Sequence, residues 1–254
     1  MKTKKMTRFS FSDNTAIISL PKAWNECSDN EKLKIFKVLA LEKSLFRSLT
    51  LVAISLLDIC IIKKISQGWI VRPRRLFART HLIKLHEFVH MSQCLQWLEN
   101  FPTYPVQIKH FGNFTAVDEL LRGVSFITFL TCDNLYQAFI KSNDWKYIHR
   151  MANYLYSYKN KDIKLNAIEV YAVFYWWYSL KCFYASKFPF LFAASPSGAS
   201  AADVEASINA QIRALTGGDI TKEKEIYEHD TYRALTELNE KAREYSELNK
   251  KLKK

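Results

Sequence analysis

Two histidines one helical turn apart, His86 and His90, enclose Glu87 in the pattern H-E-x-x-H, the one stretch of this 254-residue chain whose spacing matches a catalytic site. On a helix both histidines fall on one face, where they can bind zinc while Glu87 acts as general base in a hydrolysis. A catalytic zinc also needs a third protein ligand and an open position for water. Glu99, His110 and Glu119 are the nearest downstream candidates, and the residues after His90, MSQCLQWLEN, hold no further histidine element of the metzincin kind. The expectation is an incidental match on a helix over 80–98. Its packed side would be Leu82, Leu85, Val89, Ser92 and Leu95 or Gln96, with both histidines toward the flank. No residue is assigned a catalytic, cofactor-binding or metal role, and neither an enzyme activity nor a cofactor is expected. A zinc-dependent hydrolase built on His86, Glu87 and His90 stands as an alternative.

No other constellation offers chemistry. Gly217-Gly218 lacks the lysine of a phosphate loop and reads as a helix stop. Cys27, Cys60, Cys94, Cys132 and Cys182 lie dozens of residues apart with no C-x-x-C pair, so they read as buried free thiols in a reducing compartment such as the bacterial cytoplasm. The start, MKTKKMTRFSF, has no apolar run behind its basic residues, which argues against export.

The elements that position these residues are mainly helical. With 48% apolar residues, 14% aromatic ones and only six glycines and six prolines, the chain suits long helices around one large core or two modest ones. Residues 1–20 read as a β-hairpin arm, from the alternation at 8–11, the turn Ser12-Asp13-Asn14 and the β-branched run 15–20. A helical body follows over 21–190. Ser28 and Glu31 form a capping box, and 49–62, LTLVAISLLDICII, is a core helix too short to span a bilayer. Pro102 and Pro105 break the chain, 107–111 is a short strand, and Thr115 to Asp118 opens another helix. Helical runs are predicted over 126–140, 145–155 and 165–183. In the last, Trp176, Trp177 and Tyr178 suit either the core or an interface patch.

The stretch 188–200, FPFLFAASPSGAS, reads as a linker, so 191–254 forms a linker and two-helix tail. Val204, Ile208, Ile212 and Leu215 stripe the first tail helix, which Gly217-Gly218 stops. The second starts near Asp230 and carries a seam of Leu235, Leu238, Ala242, Tyr245, Asn249 and Leu252, too short to stand alone. The seam packs either on its own body or on a neighbour, with Asn249 as a register residue in the second case.

Four fragments carry a resemblance: 214–223, ALTGGDITKE; 230–248, DTYRALTELNEKAREYSEL; 20–40, LPKAWNECSDNEKLKIFKVLA; and 95–108, LQWLENFPTYPVQI. Together they resemble a family encoded among the virion genes of tailed phages and prophages of Bacteroides-type bacteria, crAss-like phages included. The resemblance implies a virion structural protein of the neck or tail, a homo-oligomeric ring that contacts the portal or adjacent rings, located in the virion and in the host cytoplasm during assembly. It implies no shared catalytic motif and no membrane partner. A tail-assembly chaperone and a non-specific DNA-binding factor remain as further alternatives. The net charge of +12 suits a polyanion such as packaged DNA, but lysine and arginine are spread along the chain, so no single helix stands out as a reader of bases.

Overall fold

The computed structural model describes residues 20–41, 45–74, 79–159, 161–192 and 201–252. Most of the expected hairpin arm, the Ser200 cap and the end of the 188–200 linker lie outside these residues. The chain is mainly helical and divides into two compact units, Met1–Pro102 and Thr103–Lys254. The division falls inside the 21–190 stretch expected as one body, at the Pro102 to Pro105 segment where neither helix nor ladder can continue.

The first unit begins with the capping box expected at Ser28. The Glu31 carboxylate accepts from the Ser28 amide and hydroxyl at 2.7 Å each, which fixes the start of α1 (Asp29–Leu41). Trp24, just ahead of that cap, stacks on Phe36 at 5.5 Å and meets Trp97 edge-on, while the Trp97 indole donates to the Pro21 carbonyl at 2.9 Å.

The core helix expected over 49–62 is a helix only in its first half. The helix α2 (Leu45–Leu56) stops, Asp58 turns the chain at a positive φ of 55°, and β1 (Ile59–Ile65) begins. The sequence I-C-I-I-K-K-I explains the change, because β-branched side chains lose less rotamer freedom in a strand than in a helix. The strand pairs antiparallel with β2 (Gly68–Pro73), which pairs with β3 (His81–Lys84). Gly68 has to be glycine. A Cβ there would run into the Ile83 carbonyl oxygen of β3.

The helix expected over 80–98 therefore starts later, as α3 (Leu85–Cys94), and its packed side is rotated from the one expected. Phe88, Met91, Ser92 and Leu95 are buried, whereas Leu85 is exposed. The core joins Ile35, Val52 and Ala53 from the helices to Ile59, Val71 and Ile83 from one sheet face, closed by Phe88, Met91 and Leu95. Each of these side chains larger than Ala53 contributes about 1.5–3 kcal/mol by leaving water.

The second unit holds a small sheet, β4 (His110–Phe111), β5 (Phe114–Ala116) and β6 (Tyr156–Ser157), with α4 (Phe126–Ser142), α5 (Lys146–Leu155) and α6 (Ala167–Lys187). The helix expected to open at Thr115 is replaced by β5 and a turn. Asp118 accepts from the Leu120 and Arg122 amides at 2.9 and 3.1 Å, satisfying the backbone locally instead of starting a helix.

The helix α6 is the axis of this unit. Asn166 caps it by accepting from the Ile168 and Glu169 amides, and Glu169 accepts from the Asn166 amide in return. Trp176 and Trp177 are both fully buried in the protein's own core, which excludes them from an exposed patch, and only Tyr178 reaches the surface. Polar tips on this apolar helix hold nearby backbone. Trp176 donates to the Glu119 carbonyl at 3.2 Å, Tyr184 donates to the Leu120 carbonyl at 2.6 Å, and Ser179 accepts from the Val106 amide at 3.1 Å.

The tail consists of α7 (Ala201–Thr216), α8 (Glu223–Glu228) and α9 (Thr231–Leu252). Gly217 and Gly218 stop α7 at φ values of 67° and 89°, as their spacing predicts, and Asp219 accepts from the Thr221 amide at 3.0 Å. The tail is not free of the body. Asp230 caps α9 by accepting from Arg233 N at 2.8 Å and also accepts from the Gly123 amide. Thr231 donates to the Val124 carbonyl and Phe126 donates to the His229 carbonyl, each at 2.8 Å.

Two predictions follow from this packing. Trp176→Phe and Trp177→Phe remove equal volume from equally buried sites, yet only Trp176 has a hydrogen bond to lose, since the Trp177 indole N–H finds no partner among the described residues. In denaturant unfolding, Trp176→Phe should therefore cost about 1 kcal/mol more than Trp177→Phe. Asp230→Ala removes a cap and the acceptor of the solvent-exposed Gly123 amide, so it should cost about 1–2 kcal/mol. Asp230→Asn keeps one acceptor and should lose less than half of that. Equal losses for the two Asp230 variants would show that the acceptor asparagine keeps contributes nothing.

Candidate interaction surface

The histidine pattern comes first because its chemistry is the most specific. On α3 the side chains of His86 and His90 are both exposed. Glu87 is occupied at the helix start, where its carboxylate accepts from the Lys84 amide at 2.6 Å, the work of an acid three residues into a helix. Of the possible third ligands, Glu99 is exposed at the end of the turn 96–99, while His110 and Glu119 belong to the second unit, on β4 and on the loop after β5. Glu119 accepts from the Tyr104 hydroxyl at 3.0 Å. Among the described residues no group of three His, Cys, Asp or Glu side chains could hold a metal ion. All five cysteines are free thiols, and burial pushes the Cys132 thiol far above its ordinary range.

The surface with the clearest unmet need is the end of α9. In its first turns Ala234, Leu235, Leu238 and Asn239 are buried. Asn239 accepts from the Phe190 and Leu191 amides at 3.1 and 3.3 Å, and so ties the helix to the turn that follows α6. It is Asn239, rather than the expected Asn249, that acts as the buried polar residue of the seam. Tyr232 supports the same end, with its ring 5.6 Å from Phe188 and 5.2 Å from the Arg122 guanidinium.

The second half of α9 carries the same stripe into solvent. Ala234, Leu238, Lys241, Tyr245, Leu248 and Leu252 recur at spacings of four, three, four, three and four, so they share one face. The first two are buried, but Tyr245 is 69%, Leu248 58% and Leu252 84% exposed. The seam read from the sequence included Ala242 and Asn249 and missed Leu248. Those two are half-buried on the adjoining face. The signal that finds Leu248 is the 3–4 spacing counted from Ala234 instead of Leu235.

Charges order this end of the helix. Arg243 donates to Glu240 at 2.6 Å and lies 3.6 Å from Glu247, and its hydrogen bond to Glu240 raises it above the ordinary guanidinium value. Lys241 donates to the Ala214 carbonyl of α7 at 2.7 Å, which seats its stem along α9. Glu244, Lys250 and Lys251 flank the open stripe and make no salt bridge among the described residues. An amphipathic stripe with unpaired charges beside it can bury itself against a helix or groove of another molecule.

The histidine motif gives a direct test. His86→Ala should change stability by less than about 0.5 kcal/mol, as expected of an exposed side chain. Glu87→Ala should cost about 1 kcal/mol through the lost cap, and Glu87→Gln should restore most of it. Elemental analysis of the purified chain should find no stoichiometric zinc. One zinc per chain, lost in His86→Ala, would overturn the capping role assigned to Glu87.

Among the described residues no helix is long and apolar enough to cross a membrane. The chain matches no protein-family model, no curated protein and no solved structure.

Proposed function

We propose that this chain is a structural protein of a tailed-phage virion, a homo-oligomeric ring of the neck or tail that seats on the portal or on adjacent rings. The observation that carries the reading is the open stripe Tyr245, Leu248 and Leu252, held out by a helix whose first half is fixed to its own unit. An assembly protein uses such a feature to bind a neighbour, and the occupant we assign is the next copy of this chain. A closed ring is built from head-to-tail contacts, so the stripe meets a different surface of that copy. Three side chains make a weak contact alone, but closure adds the contacts around the ring and multiplies their effect. The fragments 20–40, 95–108, 214–223 and 230–248 support the particle context through their resemblance to phage virion proteins.

The experiment compares the wild type with Tyr245→Ser/Leu248→Ser/Leu252→Ser. Because all three side chains are exposed, the variant should melt within about 2 °C of wild type. Light scattering at rising concentration should show a closed oligomer for wild type and a monomer for the variant. In purified virions the chain should be present at stoichiometric level by mass spectrometry. An oligomer that survives the triple change would remove α9 from the contact, and absence from the finished particle would favour an assembly chaperone.

A further inference from the structure

The net charge is divided unevenly. Residues 1–102 carry 17 Lys and Arg against 8 Asp and Glu, whereas residues 103–254 carry 20 against 17, so the first unit holds nine of the twelve excess positive charges. The sheet of that unit shows where part of the excess is placed. Ile59, Trp69, Val71 and Ile83 turn to the core, with Trp69 edge-on to Phe88 at 4.7 Å. Alternate residues on a strand, and directly paired residues on antiparallel strands, share a face. The ladder pairs Cys60 with Arg72, Lys63 with Ile70, Ile70 with Leu82, and Gly68 with Lys84. The outer face therefore carries Lys63, Arg72 and Lys84, one from each strand. Arg74 joins them, because its Nε donates to the Cys60 sulfur at 3.2 Å and so draws the guanidinium over the same face.

Within the strands nothing offsets that charge; just ahead of β1, Asp58 acts on Arg74 alone of the four. None of the three contains an acidic residue, and Lys63, Arg72 and Lys84 are exposed and make no salt bridge among the described residues. At about 3.4 Å per residue and about 4.8 Å between strands, the cations lie roughly 8–14 Å apart. That is on the order of a Debye length in physiological salt, so they repel one another until an anion is shared between them.

The identity of the other residues on this face selects the polyanion. The only tryptophan of the sheet faces the core, so there is no platform on which unpaired bases could stack. The residues between the cations, Ile70 and Leu82, have no donor or acceptor for a base edge. We propose that the outer face of β1, β2 and β3 docks the phosphate backbone of duplex nucleic acid without reading its sequence, through Lys63, Arg72, Arg74 and Lys84. The contact is independent of α9 and would stand if the ring assignment fell.

Binding of a labelled duplex of mixed sequence to the full chain, followed by fluorescence anisotropy over a range of salt, tests the assignment. Four phosphate contacts give a slope of about −3.6 in log affinity against log salt, and Lys63→Gln/Arg72→Gln/Lys84→Gln should make it shallower by about 2.7. A control with the same charge change in the second unit, Lys141→Gln/Arg150→Gln/Lys224→Gln, should leave the slope unchanged; all three of its side chains are exposed. A slope unaffected by the sheet variant, or reduced equally by the control, overturns the proposal. So does a single strand of equal length that displaces the duplex at low salt. Wild-type protein provides a second readout that does not depend on the variants folding. Duplex should slow acetylation of Lys63 and Lys84, read by mass spectrometry, and not that of Lys141. Equal rates with and without duplex also overturn the assignment.

Discussion

Backbone that crosses a protein interior must have its peptide groups hydrogen-bonded, and the second unit meets this requirement with side chains where no strand is available. The stretch from Val106 to Phe126 dips into the core at Val106 to Ile108, Phe111, Leu120, Leu121 and Val124 and has few ladder contacts of its own. Ser179 takes the Val106 amide, Tyr156 donates to the Ile108 carbonyl, Gln107 reaches back to the Val117 carbonyl, and Trp176 and Tyr184 hold the Glu119 and Leu120 carbonyls. The start of α9 completes the set through Asp230, Thr231 and His229. An unpaired peptide group at any of these places would cost about 1–3 kcal/mol. The requirement explains why α6 is apolar on nearly every side and yet carries serine, tryptophan and tyrosine at the positions that reach the loop.

The same requirement decides which part of α9 is fixed. Its first turns cannot leave, because Asp230 and Thr231 satisfy Gly123 and Val124, and Asn239 satisfies the turn after α6. Beyond Asn239 no such obligation binds the helix among the described residues, apart from the Lys241 contact to α7. The apolar stripe continues past the surface that covers it. A short helix of this kind would fray if it were isolated, since nucleating a helix is costly and short helices are marginal in water. Anchored at its start, it is already nucleated when it meets a partner, which lowers the ordering cost of the contact.

The sequence was most legible where a local rule decides the outcome. Ser28 with Glu31, the helix start at Asp230 and the Gly217-Gly218 stop all act as their spacing predicts, because a cap is settled within three or four residues. It was least legible over 49–84. A continuous apolar run has no period to separate a helix from a buried strand, and the strand is decided by pairing with β2 and β3, partners that the local window does not contain. The face of α3 shows the same limit. Its packed side is set by the position of the sheet, which rotates Phe88 and Met91 inward and leaves Leu85 outside. The H-E-x-x-H spacing was visible, but spacing alone could not show that Glu87 would be used by the Lys84 amide. Leu248 was hidden by a choice of register: a seam counted from Leu235 passes beside it, and one counted from Ala234 runs through it.

Many of the polar side chains on which chemistry could be built are committed to holding the chain in place. Glu87, Asp118, Asp230 and Asn166 are caps or turn acceptors, Tyr184 and Ser179 serve backbone groups, and burial keeps Cys132 protonated and poorly nucleophilic. Among the described residues two surfaces stand out whose composition exceeds what folding needs. One is apolar and lies at the end of α9. The other is cationic and covers the outer face of the first unit's sheet. Leaving Leu252 exposed forgoes hydrophobic stabilisation, and setting Lys63, Arg72 and Lys84 on one carboxylate-free sheet face adds repulsion to the folded state. Sequences that fold only for stability remove both kinds of surface, and the two contacts proposed above, with protein at one place and phosphate at the other, would each offset that cost.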